Sequence, residues 1–366
     1  MEHSFANILK NKLRGGQLFW PGKMLFKYLK IKAAHAAGAP ICVPIFASLS
    51  VTQRCNSKCL ICRFGDTALS APPENELSFE EFKRVIDDLK DLGTEVVGIT
   101  GGEPLLRGDL FDIIGYIKRK KMGAHLSTNG NLLDERNITR LLESKVDWVN
   151  ISVDGVSAKS HESVRGTVSF DGLRKSIAQF LQLRSALGSR TKLNLVMVIN
   201  SVNLAEVTDM VAFAKSQGVD GIGFMPFHAL SLTGAAVDKL RVADIPGAET
   251  IMRKLIALKS TEPLIDNTSD YLELFMGSFR GEPSPVKCYA MLSAIAIDTY
   301  GNVYPCFPRL QVGEKFGNVR GNSLKKLAGS AEFSEACRDV KNCRNCYWNC
   351  HTELNLLFND LFKALL

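Results

Sequence analysis

The sequence predicts an α/β protein: a parallel sheet flanked by helices, followed by a small cysteine-rich α+β segment. Three observations carry this. Between residues 47 and 227, six apolar, β-prone stretches alternate with stretches whose apolar residues recur at helical spacing. Strands separated by helices of that length pair parallel rather than as hairpins, with the helices packed outside the sheet. The cysteines fall into two groups, Cys55 to Cys62 and Cys288 to Cys350, with Cys42 apart from both.

A chain of 366 residues holds one large α/β domain and a smaller one. A hydrophobic fraction of 46% suits a globular protein with a substantial core. There is no apolar run of about 18 residues, which a spanning helix needs, and no secretory signal pattern. Clustered cysteines in such a chain favour metal ligation over disulfides, hence a reducing, cytoplasmic location. The net charge of +7 is concentrated at one end: residues 1–40 carry Lys10, Lys12, Arg14, Lys23, Lys27, Lys30 and Lys32 against Glu2. The remainder is close to neutral, so no nucleic-acid partner is expected.

Residues 1–44 read as a basic amphipathic helical segment, broken at Gly15-Gly16 and again at Pro21-Gly22, with Phe19, Trp20, Phe26 and Tyr28 among its lysines. Such a helix either packs on the body with its lysines in water or lies on a membrane surface, so peripheral membrane contact is kept as an alternative. Cys42, inside Pro40-Ile41-Cys42-Val43-Pro44, reads as a small buried hydrophobe. Strands are expected at 47–52, 96–100, 125–128, 148–153, 193–199 and 221–227, within a unit spanning 45–230. Ser78-Phe79-Glu80-Glu81 is a capping box opening a helix whose apolar residues are Phe82, Val85, Ile86, Leu89 and Leu92, with Gly93 as its stop. Further helices are expected at 110–121, 134–144, 170–187 and 204–217. Residues 231–287 form a less regular bridge, with turns at Thr233-Gly234 and Arg280-Gly281, that covers the open side of the sheet. In the unit at 288–352, Cys288-x12-Gly301-x4-Cys306 reads as a hairpin that brings its two thiols together. Residues 353–366 carry Leu354, Leu357, Phe358, Leu361, Phe362 and Leu365 at helical spacing, a helix docked on the body.

The chemistry centres on Cys55-x3-Cys59-x2-Cys62, on a loop leaving the first strand. Three thiolates from one loop suit an iron–sulfur cluster. A [4Fe–4S] cube takes four ligands, so a set of three leaves one iron free to bind something else. A structural zinc loop or a disulfide pair is the alternative; zinc would require a fourth ligand, and residues 63–124 contain neither Cys nor His.

With Ile61 before its last cysteine, this motif resembles the C-x3-C-x-Φ-C signature of the radical SAM enzymes. The resemblance implies a partial (β/α)6 TIM-like barrel and a cluster whose free iron chelates S-adenosylmethionine (SAM). An electron from that cluster cleaves SAM to a 5′-deoxyadenosyl radical, with a flavodoxin or ferredoxin as reductant. Other strand ends fit the family. Gly101-Gly102-Glu103-Pro104 matches the GGEP segment that holds the SAM amino group; glycines there let a ligand approach the backbone. Ser127-Thr128-Asn129-Gly130 is similar to its S/T-N-G turn. Ile151-Ser152-Val153-Asp154-Gly155 resembles I-S-x-D-G, with Ser152 at the SAM carboxylate or ribose. Arg165 lies where relatives place an arginine on the SAM carboxylate, which a guanidinium fork suits; without the resemblance, Asp154 reads as a loop cap and Arg165 as a surface ion pair. Asn200 is a further ribose candidate, and Met225-Pro226-Phe227 either flanks adenine or simply packs.

The cysteines from 288 onward resemble the SPASM/twitch extension of many radical SAM enzymes, which binds auxiliary [4Fe–4S] clusters. The full pattern has seven cysteines with one well downstream; here none follows Cys350. The expectation is one auxiliary cluster on Cys288, Cys306 and two of Cys343, Cys346 and Cys350, with a four-thiolate zinc ribbon as the alternative and His351 as a polar side chain satisfied nearby. By this resemblance the protein abstracts hydrogen from a C–H bond of a peptide or small molecule. Too few residues precede the barrel for the leader-recognition domain of many peptide-modifying relatives. A lipid or lipid-linked precursor is the second reading, and a non-catalytic iron–sulfur or zinc protein the third.

Overall fold

The computed structural model describes residues 20–64, 73–230, 232 and 234–359. The expected break at Gly15-Gly16, the turn residue Thr233 and the helix residues Leu361, Phe362 and Leu365 lie outside these.

Helix α1 (Trp20–Ala37) comes first, and Pro21-Gly22 begins it rather than breaking it. Proline is well placed there because the first-turn N–H groups have no intrahelical partner. Six βα units follow: β1 (Phe46–Ser50), α2 (Phe79–Asp91), β2 (Val96–Thr100), α3 (Leu110–Arg119), β3 (Gly123–Thr128), α4 (Glu135–Glu143), β4 (Trp148–Ser152), α5 (Ala158–Arg165), α6 (Phe170–Ala186), β5 (Lys192–Ile199), α7 (Val207–Gln217) and β6 (Gly221–Pro226). All six strands pair parallel in sequence order. The Ser78/Glu81 capping box is formed, and Asp134 and Ser169 cap α4 and α6. Helix α5 was not foreseen; Ser157 caps it through Ser160.

The strands are not the continuous apolar runs that the sequence suggests; they alternate. Ala47, Leu49, Val97, Ile99, Ala124, Leu126, Val149, Ile151, Leu193 and Leu195 point outward and are fully buried under the helices, where they form the main core with Phe82, Ile86, Ile113, Ile117, Leu141, Phe180 and Met210. The alternate positions Ser48, Gly98, Thr100, His125, Ser127, Asn150 and Ser152 face inward and line a chamber. The lumen is therefore polar, unlike the branched-aliphatic layers that fill a closed eight-stranded barrel.

The bridge contains α8 (Ala235–Leu240), α9 (Ile245–Lys259), α10 (Ser269–Glu273) and α11 (Phe275–Phe279). It sits at the β6 edge, where Ile222 bridges Ile265 and Asn267 takes both backbone groups of Phe224.

The hairpin expected between Cys288 and Cys306 forms as β7 (Ala294–Ile297) and β8 (Asn302–Tyr304), with Gly301 at φ +83° in its turn. It does not stand apart as a separate sheet. β7 pairs parallel with β1, and β9 (Gly317–Asn318) completes one nine-stranded sheet in the order β6-β5-β4-β3-β2-β1-β7-β8-β9. Four more helices follow the hairpin: α12 (Phe307–Val312), α13 (Leu324–Leu327), α14 (Ala331–Lys341) and α15 (Asn349–Asn359). Helix α1 docks on the last of these. Tyr28 and Tyr289 both stack on Phe358, and Lys32 donates to the Phe358 carbonyl at 2.6 Å. Trp20 and Lys23 bond Glu95, and buried Lys27 donates to the Pro44 and Gly93 carbonyls.

A candidate cluster and cofactor chamber

The loop carrying Cys55, Cys59 and Cys62 leaves β1 at the C-terminal edge of the sheet, and three neighbours hold it. First, Gly102 and Glu103 donate backbone bonds to the Thr52 and Arg54 carbonyls at 2.9 and 2.7 Å. A Cβ on Gly102 would lie 2.1 Å from the Arg54 oxygen, and one on Gly101, at φ +144°, 2.4 Å from the Thr52 oxygen. These glycines are thus required by the incoming cysteine loop, a reason the sequence did not show, while their other side borders the chamber. Second, Asn129 donates to Asn56 Oδ1 (2.8 Å) and Ser57 Oγ (3.0 Å) and approaches Cys55 Sγ. Third, Leu60 N bonds the Val164 carbonyl, Thr167 bonds the Asn56 carbonyl, and Cys59 Sγ faces the Arg165 carbonyl at 3.6 Å. Gly166, at φ +65°, allows that approach, since a Cβ there would lie 2.5 Å from the Lys58 oxygen.

Glu103 is fully buried behind the chamber wall. Its carboxylate accepts from Thr128 Oγ1 (2.8 Å), Asn129 N (2.8 Å) and Leu105 N (3.1 Å), so it ties the second strand end to the third. Burial pushes it up to about 6 against those donors. Pro104 opens a short 3₁₀ turn beside it. Ser152 lies on the wall. Asp154 and Arg165 form a buried ion pair at 2.5 Å. Asp154 Oδ1 also accepts from Val198 N at 2.7 Å, so its carboxylate is used within the protein, while Arg165 borders the chamber. Burial disfavours the Arg165 charge, but Asp154 and then Cys59 outweigh it and hold the guanidinium cationic. Asn200 is consumed by Val198, Val202 and Asn203 and does not line the wall. Met225 and Phe227 do.

The chamber has a volume of about 260 Å³. Its open side is closed by residues the sequence did not single out: His228 and Leu230 after β6, and Phe307, Gln311 and Trp348 from the C-terminal part. His228 fastens the two together. Its Nδ1 pairs with the Pro226 carbonyl at 2.8 Å and its Nε2 accepts from Tyr347 N at 3.2 Å.

The cysteines of the C-terminal part divide. Cys288, Cys306, Cys343 and Cys346 lie close enough to feel one another's charge, and Cys346 feels that of Cys350 as well. Cys288, Cys306 and Cys343 share one cluster of side chains with Cys42 and Cys337. Cys350 also lines the chamber. Cys42 is only half-buried, not the fully buried residue the sequence suggests, and packs beside Cys337. His351 is satisfied, its Nε2 accepting from Phe307 N at 3.1 Å.

The donors suit iron–sulfur ligation. Burial raises every thiol of the first set, Cys62 to about 11, and raises Cys288 to about 12 and Cys346 to about 11. A bound metal would supply the positive charge needed to draw those protons off. As placed, the side chains do not converge on one point: among the described residues no three Cys, His, Asp or Glu could hold a single metal ion.

The radical SAM superfamily profile matches residues 49–214, from the first strand to the seventh helix, and an iron–sulfur cluster-binding domain of the SPASM type matches residues 288–350. The chain belongs to the radical SAM superfamily. It is a radical SAM enzyme with a SPASM-type extension, using SAM, a [4Fe–4S] cluster and auxiliary iron–sulfur ligation. It is 26% identical to an AdoMet-dependent heme synthase of Methanosarcina barkeri, over 82% of this chain and 86% of that one. It is 36% identical to a GTP 3′,8-cyclase of Synechocystis, over 46% of this chain but only 49% of that enzyme. Its fold matches Streptococcus suis SuiB bound to the precursor peptide SuiA (TM-score 0.63, 16% identity, 84% of this chain and 70% of that one). It also matches anSMEcpe with bound AdoMet (TM-score 0.63, 18% identity, 88% and 98%). At those identities the structural likeness speaks to fold alone. No described helix of this radical SAM enzyme is long and apolar enough to cross a membrane.

Proposed function

We propose that this enzyme removes a hydrogen atom from a C–H bond of a peptide or small-molecule substrate held in the chamber. With SAM and the cluster on Cys55, Cys59 and Cys62 bound, reductive cleavage of SAM supplies the hydrogen-abstracting radical. The observation that carries this reading is convergence. The cysteine loop, Gly101-Gly102, Ser152 and Arg165 border one cavity, whose open side the C-terminal part covers. Arg165, held cationic by Asp154, would take the SAM carboxylate, Gly101 and Gly102 would leave room for its amino end, and Ser152 would meet its carboxylate or ribose. Phe307 and Trp348 would exclude water from the reacting end. The test is anaerobic reconstitution with iron and sulfide, reduction with dithionite and chromatography for 5′-deoxyadenosine. Product that vanishes in Cys59→Ala supports the reading; no product from the reconstituted wild type sinks it.

For the auxiliary cluster we infer Cys288, Cys306, Cys343 and Cys346 as ligands, because they neighbour one another, while Cys350, close to Cys346, also lines the chamber. Cys350→Ala should then keep about eight iron atoms per chain, and Cys346→Ala about four. The reverse pattern would replace Cys346 by Cys350 in the set.

A second reading, action on a lipid or lipid-linked precursor, has one observation of its own. Helix α1 buries Trp20, Met24, Tyr28 and Ile31 but exposes Leu25, Phe26 (71%) and Leu29 (50%) among its lysines. Apolar residues flanked by cations suit an anionic lipid surface. Flotation with anionic vesicles, lost on replacing Phe26 and Leu29 by Ser, would support it; absence of flotation by the wild type removes its basis.

A further inference from the structure

One residue of the chamber is built in more tightly than either packing or SAM binding requires. His125 sits on β3, on the inward face, four residues before Asn129. At about 3.3 Å per residue this is roughly 13 Å below the level of the cysteine loop, toward the opposite end of the sheet. Its ring is clamped flat between Phe46 (centroids 5.7 Å, planes within 5°) and Trp148 (4.8 Å, 22°). The strand between β1 and β3 gives way to it. A Cβ on Gly98 would lie 2.7 Å from His125 Cε1 and Nε2, and 2.9 Å from Phe46 Cζ. Three strands have therefore been fitted around one imidazole. Yet its Nδ1 is sealed inside the wall with no hydrogen-bond partner, and the residue is only 7% exposed; the nitrogen left open is Nε2, beside Gly98 of the chamber lining. A buried polar atom left unmatched costs about 1–3 kcal/mol, and a purely structural position would be filled more stably by an apolar ring.

The ring borders the chamber with Ser48, Ser127 and Asn150 nearby on the same inward faces. None of these side chains is charged. The arginines on the wall, Arg63 and Arg165, belong to the cysteine loop and the end of α5. We propose that His125 is a substrate-contacting, specificity-determining residue that hydrogen-bonds an uncharged polar group of the substrate, a hydroxyl, amide or carbonyl, at the floor of the chamber. This rests on the reading of the chamber as the place where substrate meets cleaved SAM. Burial alone lowers the imidazole to about 4, so it stays neutral, with one nitrogen to donate and the other to accept. A carboxylate or phosphate would find no cation at that depth. The stacking partners occupy both ring faces, so recognition is through the ring edge, which fixes where the substrate's polar group sits relative to the C–H bond above it.

The test uses the reconstituted full chain and extracts of a deletion strain, in which the compound restored by the wild-type enzyme is followed by mass spectrometry. The quantity read is that compound formed per 5′-deoxyadenosine released. Wild type is compared with His125→Phe, which keeps the stack but has no ring nitrogen, and His125→Gln, whose amide reaches the Nε2 position. The expected result is a ten- to hundredfold fall in this ratio for Phe and a substantial recovery for Gln. An unchanged ratio in His125→Phe overturns the proposal, because the ring then only fills space. So does an equal fall in His125→Phe and His125→Gln. Failure of the wild type to release 5′-deoxyadenosine at all would instead remove the enzymatic reading on which this one rests.

Discussion

Replacing Gly102 by Ala tests how the cysteine loop is seated. The new Cβ would lie 2.1 Å from the Arg54 carbonyl oxygen, 2.6 Å from its carbonyl carbon and 2.8 Å from the Gln53 oxygen. An ordinary contact is 3.4 Å or more, so the chain at residues 53–54 must retreat by up to about 1.3 Å, and it is backbone that must move. Gly102 has an ordinary φ, so steric contact is the whole perturbation. The hydrogen bonds from Gly102 N to Thr52 and from Glu103 N to Arg54 stretch with that retreat, and Cys55 follows directly in sequence. Overpacking of this kind costs about 1–3 kcal/mol of stability. Displacing a reacting centre by about 1 Å lowers rates by roughly a hundredfold. The assay is 5′-deoxyadenosine formation per assembled cluster, with iron content measured in the same sample. Gly115→Ala in α3 is the control. Its Cβ would meet only the Arg119 guanidinium, at 3.5 Å, and exchanging Gly for Ala inside a helix should stabilise by about 0.5–1 kcal/mol without touching activity. If Gly102→Ala turns over SAM at the wild-type rate with full iron, the loop does not depend on this contact and the account of the glycine pair is wrong.

Asp154→Asn should strand a buried guanidinium: removing one partner of such a pair costs about 3–5 kcal/mol, and weaker SAM binding should accompany the lower melting temperature, with isothermal titration measuring the binding. Wild-type affinity and melting temperature together would show that Arg165 needs no countercharge. Glu103 gives a pH dependence. Its carboxyl is raised from 4.5 to about 6 in the folded protein, so the unfolded chain ionises first and stability falls as pH rises between those values, by about 2 kcal/mol. Urea unfolding from pH 4 to 7 should show this loss in the wild type and a flatter profile in Glu103→Gln; identical profiles would place the charge elsewhere.

Much of the barrel was legible because its signals are local. The Ser78/Glu81 box, the helical spacing of Phe82 to Leu89 and the six apolar stretches each declare an element within a dozen residues. The apolar stretches conceal a period of two. Ser48-Leu49-Ser50, Gly98-Ile99-Thr100, His125-Leu126-Ser127 and Asn150-Ile151-Ser152 alternate strictly, and that alternation marks a polar lumen that the apolar residues by themselves do not reveal. The pairing of β7 with β1 joins residues some 250 positions apart, and no local pattern encodes such an edge. The glycine pair of the GGEP segment was recognisable as a motif, but its clash with residues 52–54 is a tertiary fact. Cys350 could not be told from Cys346 by spacing. It lies at the start of α15, where the helix carries it toward the chamber, whereas Cys346 precedes that helix.

The seating of β1 between β2 and β7 has a consequence for biogenesis. While the chain is still being translated, the strand that launches the first cysteine loop has one bare edge until residues 294–297 leave the ribosome, and α1 has no Phe358 to stack on until later still. The nascent barrel thus waits for about 250 further residues before its seam is sealed. Truncation after residue 287 would leave that seam permanently open, and the product should self-associate through it rather than persist as a stable half-enzyme.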